Sequence, residues 1–196
     1  VHECMRVFHD RLVDDIDRTW FKDLLVKTVK EEYNVEYNKI KGEHASVIFG
    51  NFLEAKSTSK PYCELSDRVQ LQKSMMDFLE DYNNMTSKPM NLVLFENAVE
   101  HIARISRIIN QPYGNALLVG VGGSGRKSLT SLAVHIADFE LFTIEITKNY
   151  GMTDWREDIK TMMNKAGIQN KSTVFLMDDT QIVKEQFLED INGILN

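Results

Sequence analysis

The sequence is most informative at the run Gly120-Val121-Gly122-Gly123-Ser124-Gly125-Arg126-Lys127-Ser128. This run follows an apolar stretch, residues 116–119, that predicts a buried parallel strand, and it precedes a stretch with helical periodicity. A phosphate loop needs this context, because glycines let backbone N–H groups converge on phosphate oxygens and the helix N-terminus adds partial positive charge. The run therefore favours nucleotide binding over a glycine-rich turn without a ligand.

The run departs from the phosphate-loop consensus G-x-x-x-x-G-K-[ST] in its chemistry. With Gly120 and Gly125 at the glycine positions, Arg126 stands at the lysine position and Lys127 at the serine or threonine position. A frame shifted by one residue would use Lys127 and Ser128 but would lose both glycines. Because a lysine cannot coordinate Mg²⁺, we expect nucleotide binding to survive better than hydrolysis. Either cation, Arg126 or Lys127, is a candidate for the phosphate contact.

A second signal is the run Val174-Phe175-Leu176-Met177-Asp178-Asp179, which predicts a strand that carries two carboxylates to the carboxyl edge of a sheet. Asp178 stands where an acid would hold Mg²⁺, usually through water. Asp179 stands where hydrolysing phosphate-loop enzymes carry a glutamate that polarises the attacking water. Since aspartate is one methylene shorter, we expect Asp179 to be a weak catalytic group.

Composition excludes several classes of protein. The chain has 196 residues, 43% hydrophobic and 27% charged, which is typical of a globular protein rather than a disordered one. A net charge of −6 argues against nucleic-acid binding through a general positive field. The apolar runs are too short to span a bilayer, and we expect neither a membrane partner nor a signal peptide. Cys4 and Cys63 suit a reducing compartment, and the start at Val1 suggests a piece of a longer polypeptide.

Apolar spacing predicts helices near residues 1–12, 15–33, 66–82 and 95–109. We expect Asp15 or Asp17 to cap the second of these and Ser66 to begin the third. Expected packing faces comprise Ile16, Trp20 and Leu24 on the second helix, and Val69, Met75 or Met76, Leu79 and Tyr82 on the third. From residue 116 onward, strands near 116–119, 141–146 and 174–177 alternate with helices. This alternation predicts an α/β fold with a parallel sheet.

These residues resemble the axonemal dynein heavy chain family. The stretches QPYGNALLVGVGGSG (111–125), IEITKNYG (144–151), FLMDDTQI (175–182) and FLEDIN (187–192) are similar to the start of the fourth AAA+ module of its motor ring. The stretch VHECMRVFHDRL (1–12) resembles the closing helical subdomain of the third module. The resemblance implies a P-loop AAA+ core, with a partial parallel sheet flanked by helices, preceded by a helical AAA+ lid subdomain. It implies a lid at 1–60, a linker and helix at 61–88, and the N-terminal half of the core at 89–196.

The resemblance also implies a role for individual residues. The module would bind ATP or ADP as a regulatory site with weak or no hydrolysis. Asp178 would hold magnesium as a further ligand, and Asp179 would be a weakened catalytic base. Val93, Leu94 and Phe95 match a segment that borders adenine, although core packing explains these three equally well. The nucleotide-binding residues of the loop would be Gly120, Val121, Gly122, Gly123, Ser124, Gly125, Arg126, Lys127 and Ser128.

At the level of the parent protein, the resemblance implies an ATP-driven microtubule motor for ciliary movement. Its partners would be the neighbouring AAA+ modules of the same heavy chain, microtubules, and dynein intermediate and light chains. Its location would be the cytoplasm, the cytoskeleton and the axoneme of the cilium. Neither nucleic acid nor membrane is expected among the partners.

Two alternatives stand beside this interpretation. The module could be a purely structural part of the ring, with an empty loop and no bound nucleotide. The chain could also be an unrelated P-loop enzyme such as a small kinase. The kinase is disfavoured, because a functional kinase should keep lysine and serine or threonine in frame after Gly125.

Overall fold

The computed structural model describes residues 1–41, 47–53 and 61–195, so the boundary expected at residue 60 lies outside the described residues. None of the helices in these ranges is both long and apolar enough to cross a membrane. The elements follow one another in this order: α1 His2–Val7, a 3₁₀ turn His9–Arg11, α2 Asp15–Tyr33, α3 Tyr37–Lys41, β1 Phe49–Gly50, β2 Cys63–Glu64, α4 Arg68–Met85, α5 Glu96–Ile109, α6 Arg126–Ile136, β3 Glu140–Phe142, α7 Met152–Met163, a π turn Asn164–Ile168, β4 Thr173–Phe175, a 3₁₀ turn Asp179–Gln181, and α8 Gln186–Leu195.

Helix α2 forms over the predicted residues but is not capped as predicted. Its N-cap is Asp14, which has the extended backbone that the cap position requires, whereas Asp15 and Asp17 lie inside the helix. The expected packing face is also wrong, since Ile16 and Trp20 are 83% and 63% exposed. The reason is that α2 packs on the short helix α3 and on a 3₁₀ turn, which leave most of its apolar surface uncovered.

Helix α4 begins two residues after the predicted start at Ser66. The side chain of Asp67 accepts a hydrogen bond from the backbone N–H of Gln70 at 2.9 Å, so Asp67 is the N-cap and the helix begins at Arg68. Met75 is fully buried as one of the expected face residues, but Val69 is 82% exposed. Leu79 and Tyr82 also pack against the core as expected, so the predicted face is correct except at Val69, and Leu71 takes the inward position near the helix start.

The main core is formed by the central helices together with the segments around β1 and β2. Helix α5 follows the predicted periodicity and packs along α6. Buried side chains of residues 47–53 pack into this same core, although the family resemblance implies that these residues belong to the lid. The buried members are Ile48, Phe52, Leu65, Leu71, Met75, Leu94, Ala98, Val99, Ile102, Ala103, Ile105, Leu129, Leu132, Ala133 and Ile136.

The strand predicted at residues 116–119 does not form. Leu117 and Val119 are 89% and 84% exposed, and Leu118 is half-buried against the main core. A strand needs a neighbour to accept and donate its ladder hydrogen bonds. Within the described ranges β3 and β4 pair with each other, and neither pairs with residues 116–119. The prediction was wrong because an apolar run specifies burial only where a partner strand is present.

Strands β3 and β4 form the parallel pair that the sequence predicted, although both are shorter than expected. Glu140 pairs with Thr173 and Phe142 with Phe175. A second core lies beside this pair, with Trp155 of α7 at its centre. The indole of Trp155 stacks on Phe187 with ring centroids 4.4 Å apart. These two strands and their helices place the loop after β4 at the carboxyl edge of the sheet.

Helix α1 is attached to α5 through a contact that also involves the β1–β2 hairpin, and we call this contact the α1–α5 joint. The ring of His2 stacks on Phe49 at 4.2 Å between centroids, and its Nε2 lies 2.8 Å from the hydroxyl of Tyr62. Arg107 of α5 donates to a carboxylate oxygen of Glu3 at 2.5 Å. Burial, aided by the nearby Arg guanidinium groups, lowers the pKa of His2 to about 4, against the opposing effect of Glu3.

The joint predicts a pH-dependent stability. An unfolded histidine has a pKa of about 6.5, so between that value and about 4 the unfolded chain binds more protons at His2 than the folded chain. Stability should therefore fall as the pH drops from about 7.5 to about 5.5. We expect a contribution on the order of 1 kcal/mol, or about 2–4 °C in melting temperature, that His2→Gln removes.

Circular dichroism melting at the two pH values measures this difference. The matched control is His101→Gln, because His101 is an exposed residue of α5 outside the joint. An unchanged pH slope in His2→Gln would contradict the proposed origin of the effect. An equal reduction of the pH slope in both variants would also contradict it.

Candidate functional site

The glycine loop, residues 120–125, adopts a conformation that depends on its glycines. Gly123 and Gly125 have φ angles of +77° and +78°, in the left-handed region that side chains disfavour. A Cβ atom added at Gly122 or Gly123 would meet no heavy atom within 4 Å. The loop thus leaves open space above its backbone, and it leads directly into α6 at Arg126.

The N-terminus of α6 lacks a capping side chain. Its N-cap is Gly125, which has no side chain to accept from the first amides, and the first turn contains no acidic residue. The first N–H groups of a helix have no acceptor within the helix, and together they carry partial positive charge. An anion placed above the loop would supply the missing acceptors.

Arg126 supports the loop from its own side chain. One guanidinium nitrogen donates to the carbonyl of Leu118 at 3.1 Å, and the other donates to the carbonyl of Val121 at 3.2 Å. The first of these carbonyls belongs to the segment before the loop, and the second lies within the loop. The Arg126 guanidinium therefore joins the segment before the loop to the loop itself, and both of its bonds are to backbone oxygens.

Lys127 extends in a different direction and forms an ion pair with Asp178. The Lys127 side chain is 63% exposed, whereas that of Asp178 is 17% exposed. Burial alone would raise the pKa of the Asp178 carboxyl, but its bonds with Lys127 and Thr180 outweigh burial and lower it. Asp178 is therefore a carboxylate at neutral pH, and it joins α6 to the loop that follows β4.

The turn that holds Asp178 is anchored by a residue that the sequence analysis missed. The amide side chain of Gln181 accepts from the backbone N–H of Asp178 at 2.9 Å and donates to the carbonyl of Ile144 at 2.6 Å. Gln181 thus connects the loops that follow β4 and β3. The spacing Asp-x-x-Gln is a capping-box pattern, and it could have been found from the sequence. Asp179 begins this 3₁₀ turn and is exposed.

Ser128 lies in the first turn of α6, one residue beyond Lys127, and is half-buried. Successive residues of an α-helix are about 100° apart around its axis. The Ser128 side chain therefore leaves the helix on a different side from the ammonium group that meets Asp178. In the described parts of the chain, no group of three or more His, Cys, Asp or Glu side chains could hold a metal ion.

The residues expected near adenine differ in their exposure. Leu94 is 5% exposed and belongs to the main core, as the packing explanation requires. Val93 and Phe95 are 80% and 61% exposed and line an open groove along α4, together with Met76. Loop residues 120–128 do not line this groove. The structure thus brings Arg126, Lys127 and Asp178 to the loop but does not unite them with residues 93–95 in one cavity.

Comparison with known proteins places this geometry in a family. Residues 90–196 match the family model described as P-loop containing dynein motor region D4. The chain is 48% identical over 195 residues to dynein axonemal heavy chain 1 of Mus musculus and 42% identical over 207 residues to dynein axonemal heavy chain 3 of the same species. It is 45% identical over 197 residues to the dynein-1-beta heavy chain of the flagellar inner arm I1 complex of Chlamydomonas reinhardtii.

These alignments cover 99–100% of the chain but only 4–5% of each relative. The chain therefore spans a small part of the length of the heavy chains that it matches. The family match covers the glycine loop, the parallel strand pair and the turn of residues 178–181, which we call the acidic turn. These parts form the candidate site. From the loop geometry, the parallel strands and this match together, the chain belongs to the family of P-loop containing dynein motor region D4.

Proposed function

We propose that this chain is a fragment of the motor region of an axonemal dynein heavy chain and carries a regulatory nucleotide-binding site of an AAA+ module. The observation that carries the proposal is the uncapped N-terminus of α6 behind the left-handed glycines Gly123 and Gly125. These features offer open backbone amides and partial positive charge to an anion. ATP or ADP supplies such an anion through its phosphates.

The phosphates would lie on the glycine loop, contacted by backbone amides from Gly120 to Ser128. Lys127 is the cation best placed to reach them, because its side chain is mostly exposed and an ammonium group has three donors. Arg126 would act on the loop rather than on the ligand, since its guanidinium bonds two backbone carbonyls. Of the two candidate cations, Lys127 is therefore the one proposed to contact the phosphates.

Adenine contacts are proposed for Val93 and Phe95, which are exposed apolar side chains just before α5. Leu94 would support them from the core side. Residues 1–60 are proposed as the lid of the preceding module, 61–88 as a linker and helix, and 89–196 as the first half of the core. The α1–α5 joint gives the N-terminal helix of this proposed lid a defined contact with the core, and Ile48 and Phe52 of the same region are buried in the main core.

At the level of the parent protein, we propose an ATP-driven microtubule motor of the axoneme. The support is the match to a dynein motor region and the similarity to axonemal and flagellar heavy chains. The neighbouring AAA+ modules, microtubules, and dynein intermediate and light chains are proposed as its partners. The cilium axoneme, within the cytoplasm and cytoskeleton, is its proposed location.

Turnover at this module is proposed to be weak or absent. Lys127 stands where a hydrolysing site would offer a hydroxyl, and Asp179 stands where it would offer a longer acid. A second candidate function, a structural ring module with an empty loop, is favoured by one observation. Both cations of the loop already have protein partners without a ligand, Arg126 through carbonyls and Lys127 through Asp178.

Nucleotide binding predicts a thermal shift that depends on the open space above the loop. At about 100 times its Kd, ADP should stabilise the folded chain by about 2.7 kcal/mol, which corresponds to roughly 5–10 °C in melting temperature. Gly122→Val should abolish this shift without unfolding the free protein, because its Cβ meets no atom and its φ lies outside the left-handed region. Gly125→Val should also abolish binding, but its φ of +78° adds backbone strain.

The matched control is Gly167→Val, since a Cβ atom at Gly167 would also meet open space and this residue lies in the π turn after α7. Thermal denaturation of all variants with and without ADP makes the comparison. An ADP shift that persists in Gly122→Val would place the ligand away from the loop. A wild-type chain that shows no shift would support the structural alternative instead.

If hydrolysis at this module is weak, Asp179→Ala should change the ATPase activity of the full motor little. Phosphate release by the full motor should stay within about twofold of wild type, a difference of less than about 1 kcal/mol in barrier, because Asp179 contributes little to water activation. Asp154→Ala in α7 offers a comparison at an acidic residue outside the acidic turn. A large loss of ATPase activity on Asp179→Ala alone would overturn the assignment of a degenerate site.

A further inference from the structure

We propose that the Lys127 ammonium group replaces the divalent metal at this site, so that the module binds nucleotide without Mg²⁺. This inference rests on the proposed nucleotide binding and makes it more specific. A phosphate loop ordinarily places Mg²⁺ between a Ser/Thr hydroxyl and an acid at the end of a strand. In this chain the corresponding positions hold Lys127 and Asp178.

The carboxylate that would hold the metal has both oxygens engaged. Oδ2 of Asp178 pairs with the Nζ of Lys127. Oδ1 accepts from the backbone N–H of Thr180 at 2.9 Å and from its hydroxyl. Magnesium requires near-octahedral oxygen coordination, which it often obtains from carboxylates through water. A metal at this point would have to displace the ammonium group or lie beside it.

The hydroxyl that would hold the metal is also missing. Lysine offers three donors and no acceptor, so Lys127 cannot be a ligand. The next hydroxyl, that of Ser128, leaves α6 about 100° away around the helix axis. The hydroxyl of Thr130, one turn on, already donates to the carbonyl of Arg126 at 2.8 Å. The residues present therefore do not fit Mg²⁺.

The same residues fit a monovalent cation that belongs to the protein. The partly buried carboxylate of Asp178 holds one side of the ammonium group, and the Lys127 side chain as a whole is 63% exposed. Two of the three ammonium donors can therefore face a phosphate oxygen while the third keeps Asp178. This bridge performs the neutralising role that a metal would have. It also suits a site that holds nucleotide rather than one that hydrolyses it.

Isothermal titration of ADP into the 196-residue chain tests the inference in two buffers, one with saturating MgCl₂ and one with excess EDTA. We expect the wild-type Kd to agree within about threefold between the buffers, a difference of less than about 1 kcal/mol. Lys127→Ser restores a hydroxyl and frees Asp178. This variant should bind at least about tenfold more tightly in magnesium than in EDTA.

The matched control is Lys160→Ser, because Lys160 is a similarly exposed lysine that pairs with an acid, Glu157, on α7. It should behave as wild type in both buffers. Wild-type binding that requires magnesium would overturn the inference and leave nucleotide binding standing. Lys127→Ser binding that is equally tight in EDTA would overturn the role of Lys127. Absence of binding in both buffers would overturn the inference together with the proposed function.

Discussion

The ion pair between Lys127 and Asp178 is the interaction on which the candidate site depends. It connects the first turn of α6, which belongs to the main core, with the turn after β4, which belongs to the second core. The left-handed glycines Gly123 and Gly125 set the direction in which α6 begins, and this direction brings Lys127 to the sheet edge. The loop conformation, the helix start and the acidic turn are thus parts of one arrangement.

Outside the site, the fold holds its segments together through contacts of different strength. Apolar burial dominates between α5 and α6, whose fully buried side chains, such as Ile102 and Leu132, belong to one core. The α1–α5 joint relies instead on an ion pair between Glu3 and Arg107 and on the stacked ring of His2. Surface ion pairs contribute little, whereas a half-buried histidine with a lowered pKa makes stability depend on pH. Of these two contacts, the one that attaches the N-terminal helix is therefore the one whose stability depends on pH.

Helical periodicity was predicted well from the sequence, whereas the exact caps of α2 and α4 and the partner-dependent contacts were not. The periodicity of α5 and the glycine context of α6 act within one segment, so both helices could be predicted. The strand at residues 116–119 failed because pairing needs a neighbour that periodicity cannot reveal. The Lys127 partner could not be predicted either, since α6 and β4 are far apart in the chain. Gln181 was detectable from its capping-box spacing, but that pattern did not point to a site.

Phosphates are proposed to bind the glycine loop with an ammonium group in place of a metal. A structure of this chain determined with excess ADP in metal-free buffer tests both parts of this proposal at once. We expect phosphate density against the amides that follow Gly122, with the Nζ of Lys127 between a phosphate oxygen and Asp178. An empty loop at saturating ADP, with Lys127 still bound only to Asp178, would contradict the proposal.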